Sequence, residues 1–304
     1  MTEGIAEFNV AGVAEPCQTW YKVIGDLTSH DSTPLIILHG GPGASHDYLL
    51  PLTDLAPDVT LVFYDQIGSG RSTHLPNRAN DKAFWRLDLF IRELDNLIAH
   101  LGLQEKPFDV YGHSWGGMVA STWASRPSGS TKHLRRLVLA GSPASMDGFR
   151  ADLSTLRSRL GKDVQAVLNH AEEIKDFSNP EYHKALEVFY GSHLTLTRPS
   201  PPEAQAMQHS LTQDISSYLT IFGPNPLVVA GSIRDWTVIP SLHKIKVPTL
   251  LIDGSQDTVQ EHSVTPLFEH IEKVRWVTLD NAAHLAHVDQ RQKYMKYLRQ
   301  FLTS

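Results

Sequence analysis

Gly112-His113-Ser114-Trp115-Gly116 places a serine between glycines two residues away on either side. That spacing suits a nucleophile on a strained strand-to-helix turn, where bulkier neighbours would clash. Phe108 to Tyr111 supply the apolar strand run before it. Met118, Val119, Thr122 and Trp123 supply the helical signal after it, with Pro127 as the expected end. A serine hydroxyl is a weak nucleophile and needs a base, and the base needs a carboxylate to orient it. Chain order points to Asp257, in the loop beyond Leu251-Ile252, as the acid. His284, after the final strand run, is the expected base. Asp253 is the rival acid but lies nearer its strand. His287 is the rival base but falls closer to the following helix.

Attack on a carbonyl also builds an oxyanion, which needs two preorganised N–H donors. Trp115, the residue after the nucleophile, should give one. His39-Gly40-Gly41-Pro42-Gly43 follows the first strong strand run, and Gly41 is the expected second donor, with Gly40 beside it. A further glycine loop, Asp65-Gln66-Ile67-Gly68-Ser69-Gly70-Arg71-Ser72, lacks the Gly-Lys-Ser/Thr of a phosphate loop. It reads as a tight turn at the pocket mouth.

These residues require a scaffold that brings distant loops together. Short apolar runs alternate with amphipathic helices, which argues for an α/β fold with a mostly parallel sheet. The runs are Pro34–Leu38, Val59–Tyr64, Phe108–Tyr111, Leu137–Ala140, Thr249–Ile252 and Val274–Leu279. Phe84, Leu87, Ile91, Leu94, Ile98 and Leu101 form one helical stripe that Gly102 stops. Tyr294, Leu298 and Phe301 form another. From 142 to 240 the strand signal fades. Leu153, Leu156 and Leu160 make a short stripe, Pro180 opens a helix through Leu186 and Phe189, and Arg198–Pro202 breaks the chain. The expected organisation is an α/β-hydrolase core, 1–141 and 241–304, carrying a helical cap, 142–240.

Composition narrows the class. A net charge of −6 with scattered basic residues gives no footprint for nucleic acid. No apolar stretch approaches the roughly 20 residues of a membrane helix. Met1–Pro16 does not read as a secretory signal. One cysteine, Cys17, forbids an internal disulfide and fits a reducing, cytoplasmic setting. None of the 16 histidines sits at zinc-ligand spacing. No metal or organic cofactor is expected, and the partner should be a small molecule or short peptide.

His-Gly-Gly-Pro-Gly at 39–43, Asp-Gln-x-Gly-x-Gly-x-Ser at 65–72 and Gly-His-Ser-Trp-Gly-Gly at 112–117 together resemble the prolyl iminopeptidase family of α/β-hydrolases. So do Phe222-Gly223-Pro224-Asn225 and the Asp235-Trp236 pair. The resemblance runs from about residue 18 to 302. It implies a helical cap over a small pocket and release of N-terminal residues from short peptides, or hydrolysis of amino-acid amides. Two positions depart. The family usually has Glu after Gly-Pro-Asn, where this chain has Pro226. It usually has Glu after the catalytic Asp, where this chain has Thr258. In relatives such glutamates bind the substrate's free α-amine, and a buried ammonium is costly without a carboxylate. Gly40, Trp115, Asn225, Pro226 and Thr258 are therefore expected at the substrate, in a neutral site unless Glu203, Asp214 or Asp235 substitutes. An aminopeptidase-like amidase is the first reading. An esterase or lactonase for a neutral substrate is the second. A non-catalytic binding protein on the same scaffold is the third, and an intact Ser114, Asp257 and His284 argues against it.

Overall fold

The computed structural model describes residues 1–29, 32–56, 58–126 and 129–304. In chain order the strands are β1 (Thr2–Phe8), β2 (Cys17–Ile24), β3 (Leu35–Leu38), β4 (Leu61–Tyr64), β5 (Phe108–His113), β6 (Leu134–Ala140), β7 (Thr249–Gly254) and β8 (Val274–Leu279). Among the described residues they form one sheet in the order β1-β2-β4-β3-β5-β6-β7-β8. From β4 to β8 every pairing is parallel. Strands β3, β4, β5 and β7 are buried along their whole length, as strands covered on both faces must be.

Six of these strands match the apolar runs in the sequence. The other two, β1 and β2, form an antiparallel hairpin from Thr2 opposite Val23 to Phe8 opposite Cys17. Both mix exposed, part-buried and buried positions near the edge of the sheet, so neither gives a continuous apolar run.

Helices cover both faces. α1 (Leu87–His100) and α2 (Trp115–Ala124) pack against Ile36, Val62 and Val110. The opposite side chains, Ile37, Phe63 and Tyr111, meet the short 3-10 helix His46–Leu55 and the C-terminal helix. α1 begins at Leu87 rather than at Phe84, because Asp81 holds the Phe84 amide in the preceding turn at 3.0 Å. Gly102 ends the helix in the left-handed region at φ +67°, as its position suggests. Pro127, expected to end α2, lies outside the described residues, and α2 itself closes at Ala124.

Between β6 and β7 the chain is helical: α3 (Met146–Ser158), α4 (Lys162–Ile174), α5 (Pro180–His193), α6 (Pro202–Gln213) and α7 (Ser216–Ile221). The α3 stripe keeps Leu153 and Leu156 but leaves Leu160 past its end. The two strands of chain entering and leaving this segment are paired. Met146 N donates to Trp236 O at 2.9 Å, and Val238 N donates to Ala144 O at 3.0 Å. Phe149, Leu168, Tyr182 and Phe189 belong to the same buried cluster as α1 and α2, so core and helical segment share one apolar interior. After β7 come α8 (Glu261–His270), then β8, α9 (Ala286–Asp289) and α10 (Arg291–Thr303). Tyr294, Leu298 and Phe301 on α10 are buried, as their spacing indicates. Among the described residues no helix is long and apolar enough to cross a membrane.

Candidate active site

Ser114 sits between the end of β5 and the first turn of α2 with φ +55° and ψ −120°. A non-glycine residue reaches that conformation only when its surroundings impose it. Here they do. A Cβ on Gly112 would strike Gly116 O, and one on Gly116 would strike Leu38 O, so strand and helix approach only because both are glycine. Ser114 N donates to Ala140 O at 2.8 Å, which ties the turn to the end of β6. Among the described residues the Ser114 hydroxyl has no hydrogen-bond partner, and the residue is half-buried.

Asp257 and His284 come together from the loops after β7 and β8. Asp257 Oδ1 accepts from His284 Nδ1 at 2.7 Å. It also accepts from Val259 N at 2.8 Å and from the Thr258 hydroxyl at 3.2 Å. The carboxylate side chain is fully buried while the imidazole is 11% exposed. Gly141, at the end of β6, lies against both: a Cβ there would be 2.7 Å from Asp257 Oδ2 and 3.2 Å from His284 Nδ1. The same strand end thus touches the serine turn and the acid–imidazole pair.

The rivals are placed elsewhere. Asp253 Oδ2 accepts from Trp276 Nε1 at 2.7 Å, and burial pushes its carboxyl up to about 7. His287 is fully buried, and its Nε2 donates to Tyr48 O at 2.9 Å. Burial pushes its imidazole down to about 4, so it stays neutral over the working range.

Beside the serine, Gly40 N donates to the Tyr48 hydroxyl at 2.7 Å, and a Cβ on Gly40 would lie 3.1 Å from Ser114 Cβ. Gly41 has φ +114°, and among the described residues its N–H has no acceptor. The Trp115 N–H opens α2 and so has no intrahelical acceptor. The Trp115 side chain is buried, and its Nε1 donates to Gln66 Oε1 at 2.8 Å. Only its backbone can face a substrate. Thr258 bonds to Asp257 as above. Asn225, by contrast, is consumed within the helical segment. Its Oδ1 accepts from the Tyr182 hydroxyl at 3.0 Å and from Leu227 N at 2.9 Å, while its Nδ2 donates to Glu172 Oε1 at 2.8 Å. Pro226 next to it is half-buried. Of the candidate substitute acids, Asp235 is exposed, Glu203 lies near Arg291, and Asp214 Oδ2 lies 3.4 Å from His74 Nδ1.

Three supports have roles that the sequence does not reveal, although Gln66 lies in a motif already singled out. Gln66 is one: its Nε2 donates to His39 O at 2.8 Å and its N donates to His39 Nε2 at 2.9 Å, so it joins two glycine loops to Trp115. Asp289 is another. It accepts from Thr195 Oγ1 at 2.7 Å, from Leu196 N and Thr197 N at 3.0 Å, and from Ala283 N at 3.0 Å. It fastens the turn after α5 to the loop that carries His284.

Glu93 is the third. This fully buried residue of α1 accepts from Thr19 Oγ1 at 2.7 Å and from Ile67 N at 2.9 Å, beneath the Asp65–Ser72 turn. Burial pushes its carboxyl up to about 8 against the pull of those donors. The folded chain therefore keeps a proton that the unfolded chain releases at the ordinary carboxylate range. The stability this group confers is complete below that range and is lost as pH rises toward about 8. Glu93→Gln keeps an acceptor oxygen and removes the titration. Its urea midpoint is expected to vary less than that of the wild type between about pH 5 and about pH 9. Equal slopes in the two proteins would refute the assignment.

Sheet order, serine turn and glycine loops are those of an α/β-hydrolase, and the chain belongs to that fold family, whose pattern it matches over residues 33–290. A proline iminopeptidase of Saccharolobus solfataricus is 32% identical over 88% of this chain and 84% of that protein. The solved proline iminopeptidase of Mycobacterium smegmatis superposes with a TM-score of 0.88 at 30% identity, covering 99% of this chain and 98% of that one. VinJ superposes with a TM-score of 0.92 at 36% identity over the same shares of each chain. Within the α/β-hydrolases, the protein is thus a hydrolase of the proline iminopeptidase-like group, serine-peptidase-like in kind.

Proposed function

We propose that the protein cleaves small amide or aminoacyl substrates through a Ser114-His284-Asp257 triad and an acyl-enzyme. The observation that carries this reading is the 2.7 Å bond from His284 Nδ1 to the buried Asp257 carboxylate. It commits the ring to the tautomer with Nε2 free to take a proton. Ser114 Oγ attacks the carbonyl carbon as His284 Nε2 takes its proton. The oxyanion that forms is held by the N–H groups of Gly41 and Trp115. Collapse breaks the C–N bond, and the leaving amine takes the proton from His284. Water then attacks the acyl-Ser114 ester by the reverse proton route, releasing the acid and restoring the serine. The helices of 142–240 act as the cap that shapes the pocket, and a single buried thiol, Cys17, suits a cytoplasmic enzyme.

Within that chemistry, preference for a free α-amine is weak. Pro226 and Thr258 carry no charge, Asn225 is bonded inside the cap, and Glu172 is already paired with Arg157 at 3.0 Å. A substrate panel tests this. Proline and alanine p-nitroanilides, with free and acetylated amines, should differ little in kcat/KM. Strong turnover that vanishes on acetylation would overturn the neutral-site reading. Hydrolysis of p-nitrophenyl esters with no turnover of any amide would favour an esterase instead, a reading that the same neutral site supports.

A further inference from the structure

Tyr48 and His113 lie outside the proposed triad, yet one chain of hydrogen bonds passes through them from the oxyanion loop to the loop of the base. Gly40 N donates to the Tyr48 hydroxyl at 2.7 Å. The Tyr48 hydroxyl is 2.8 Å from His113 Nδ1. His113 Nε2 is 3.0 Å from the backbone oxygen of His284. The rings of His113 and His284 stand 4.7 Å apart between centroids. Tyr48 is fully buried and His113 almost so, at 2% exposure.

Only one proton arrangement satisfies every atom. The Tyr48 oxygen accepts from Gly40 N, so its own proton goes to His113. His113 Nδ1 must then be the bare acceptor, and Nε2–H donates to the carbonyl oxygen of His284. Burial pushes the His113 imidazole well below its ordinary range, and the nearby His284 and His287 push the same way, which keeps the ring neutral. The Tyr48 backbone is held as well, since its carbonyl oxygen accepts from His287 Nε2 at 2.9 Å. His113 is covalently next to Ser114, so the chain links nucleophile turn, oxyanion loop and base loop in a single buried unit.

We propose that Tyr48 and His113 are positioning residues that set the oxyanion loop and His284 against Ser114, acting through hydrogen bonds and never touching substrate. This inference rests on the reading of Ser114 and His284 as the reacting pair. Misplacing a reacting group by an ångström costs up to about 10²-fold in rate. Tyr48→Phe and His113→Asn are therefore each expected to lower kcat by roughly 10- to 100-fold with KM within about twofold of the wild type. Because both belong to one unit, the double variant should lose little more than the worse single one. Single variants that fold and keep kcat within twofold, or losses that multiply in the double variant, would overturn the proposal. A second measurement needs no variant. Histidine 15N spectra of the wild type at neutral pH should show His113 with Nε2 protonated and Nδ1 bare, and the opposite tautomer would also overturn it. If instead Ser114→Ala leaves turnover intact, the triad reading falls, while the spectra still report the hydrogen-bond chain.

Discussion

Ser114→Ala is expected to lower kcat by about 10³-fold or more, with KM little changed and the fold intact. The effect is this large because the hydroxyl is the proposed attacking atom. The effect falls on kcat because the rest of the pocket is untouched. Alanine fits the turn, since the contacts that force it involve Gly112 and Gly116 rather than the serine hydroxyl, which has no partner among the described residues. Steady-state kinetics beside a thermal melt would read both halves. A fluorophosphonate should label wild-type protein on Ser114 and leave the variant unlabelled. Unlabelled wild-type protein that is folded would support a binding role in place of catalysis.

Asp257→Ala is expected to cost on the order of 10⁴-fold in kcat. The substitution strips His284 Nδ1 of its acceptor and Val259 N of its own, so both the tautomer and the loop are released. The imidazolium formed during attack also loses its counter-charge. Asp257→Asn separates these contributions. The carboxamide is nearly isosteric and keeps the geometry, but it removes the charge, and its NH2 can donate to His284 Nδ1 and hold the ring in the wrong tautomer. The gap in kcat between the two variants therefore reads what side-chain packing and loop geometry contribute, since both lose the charge and the correct tautomer. If both kept near wild-type rates, Asp257 would have no part in the reaction, and Asp253, held by Trp276, would need re-examination.

What the sequence disclosed follows from range. The serine turn is local: its strand, its two glycines and its helix lie within a few residues, and each has a steric reason to be what it is. Gly102, Pro180 and the α10 stripe are local in the same way, and the structure matches them. Asp257 and His284 are far apart in sequence, but the order of elements in this architecture fixes which loops must meet. Tyr48 and Asp289 gave no comparable signal, and the motif around Gln66 gave no hint of its bridging role. Their partners lie far away in sequence, and nothing in a lone tyrosine or aspartate announces a buried hub. Asn225 shows the opposite case. It sits in a motif that points to the substrate, but three bonds turn its side chain into the helical segment. The hairpin of β1 and β2 was hidden because partial burial near a sheet edge dilutes the apolar signal.

Leu137 pairs with Thr249 and Ala140 with Ile252, although five α-helices separate β6 from β7 in the chain. During synthesis, Ser114 and both glycine loops emerge well before the strand that must dock beside them. Non-local pairings of this kind are slow to form, since a long loop must close first. Until β7 arrives, the β6 edge that touches the serine turn is open, and neither the Asp257 carboxylate nor the His284 imidazole stands near it. A nascent or truncated chain therefore carries an unarmed serine. On the proposed triad, hydrolysis waits until β7, β8 and the loops that carry Asp257 and His284 lock into the sheet.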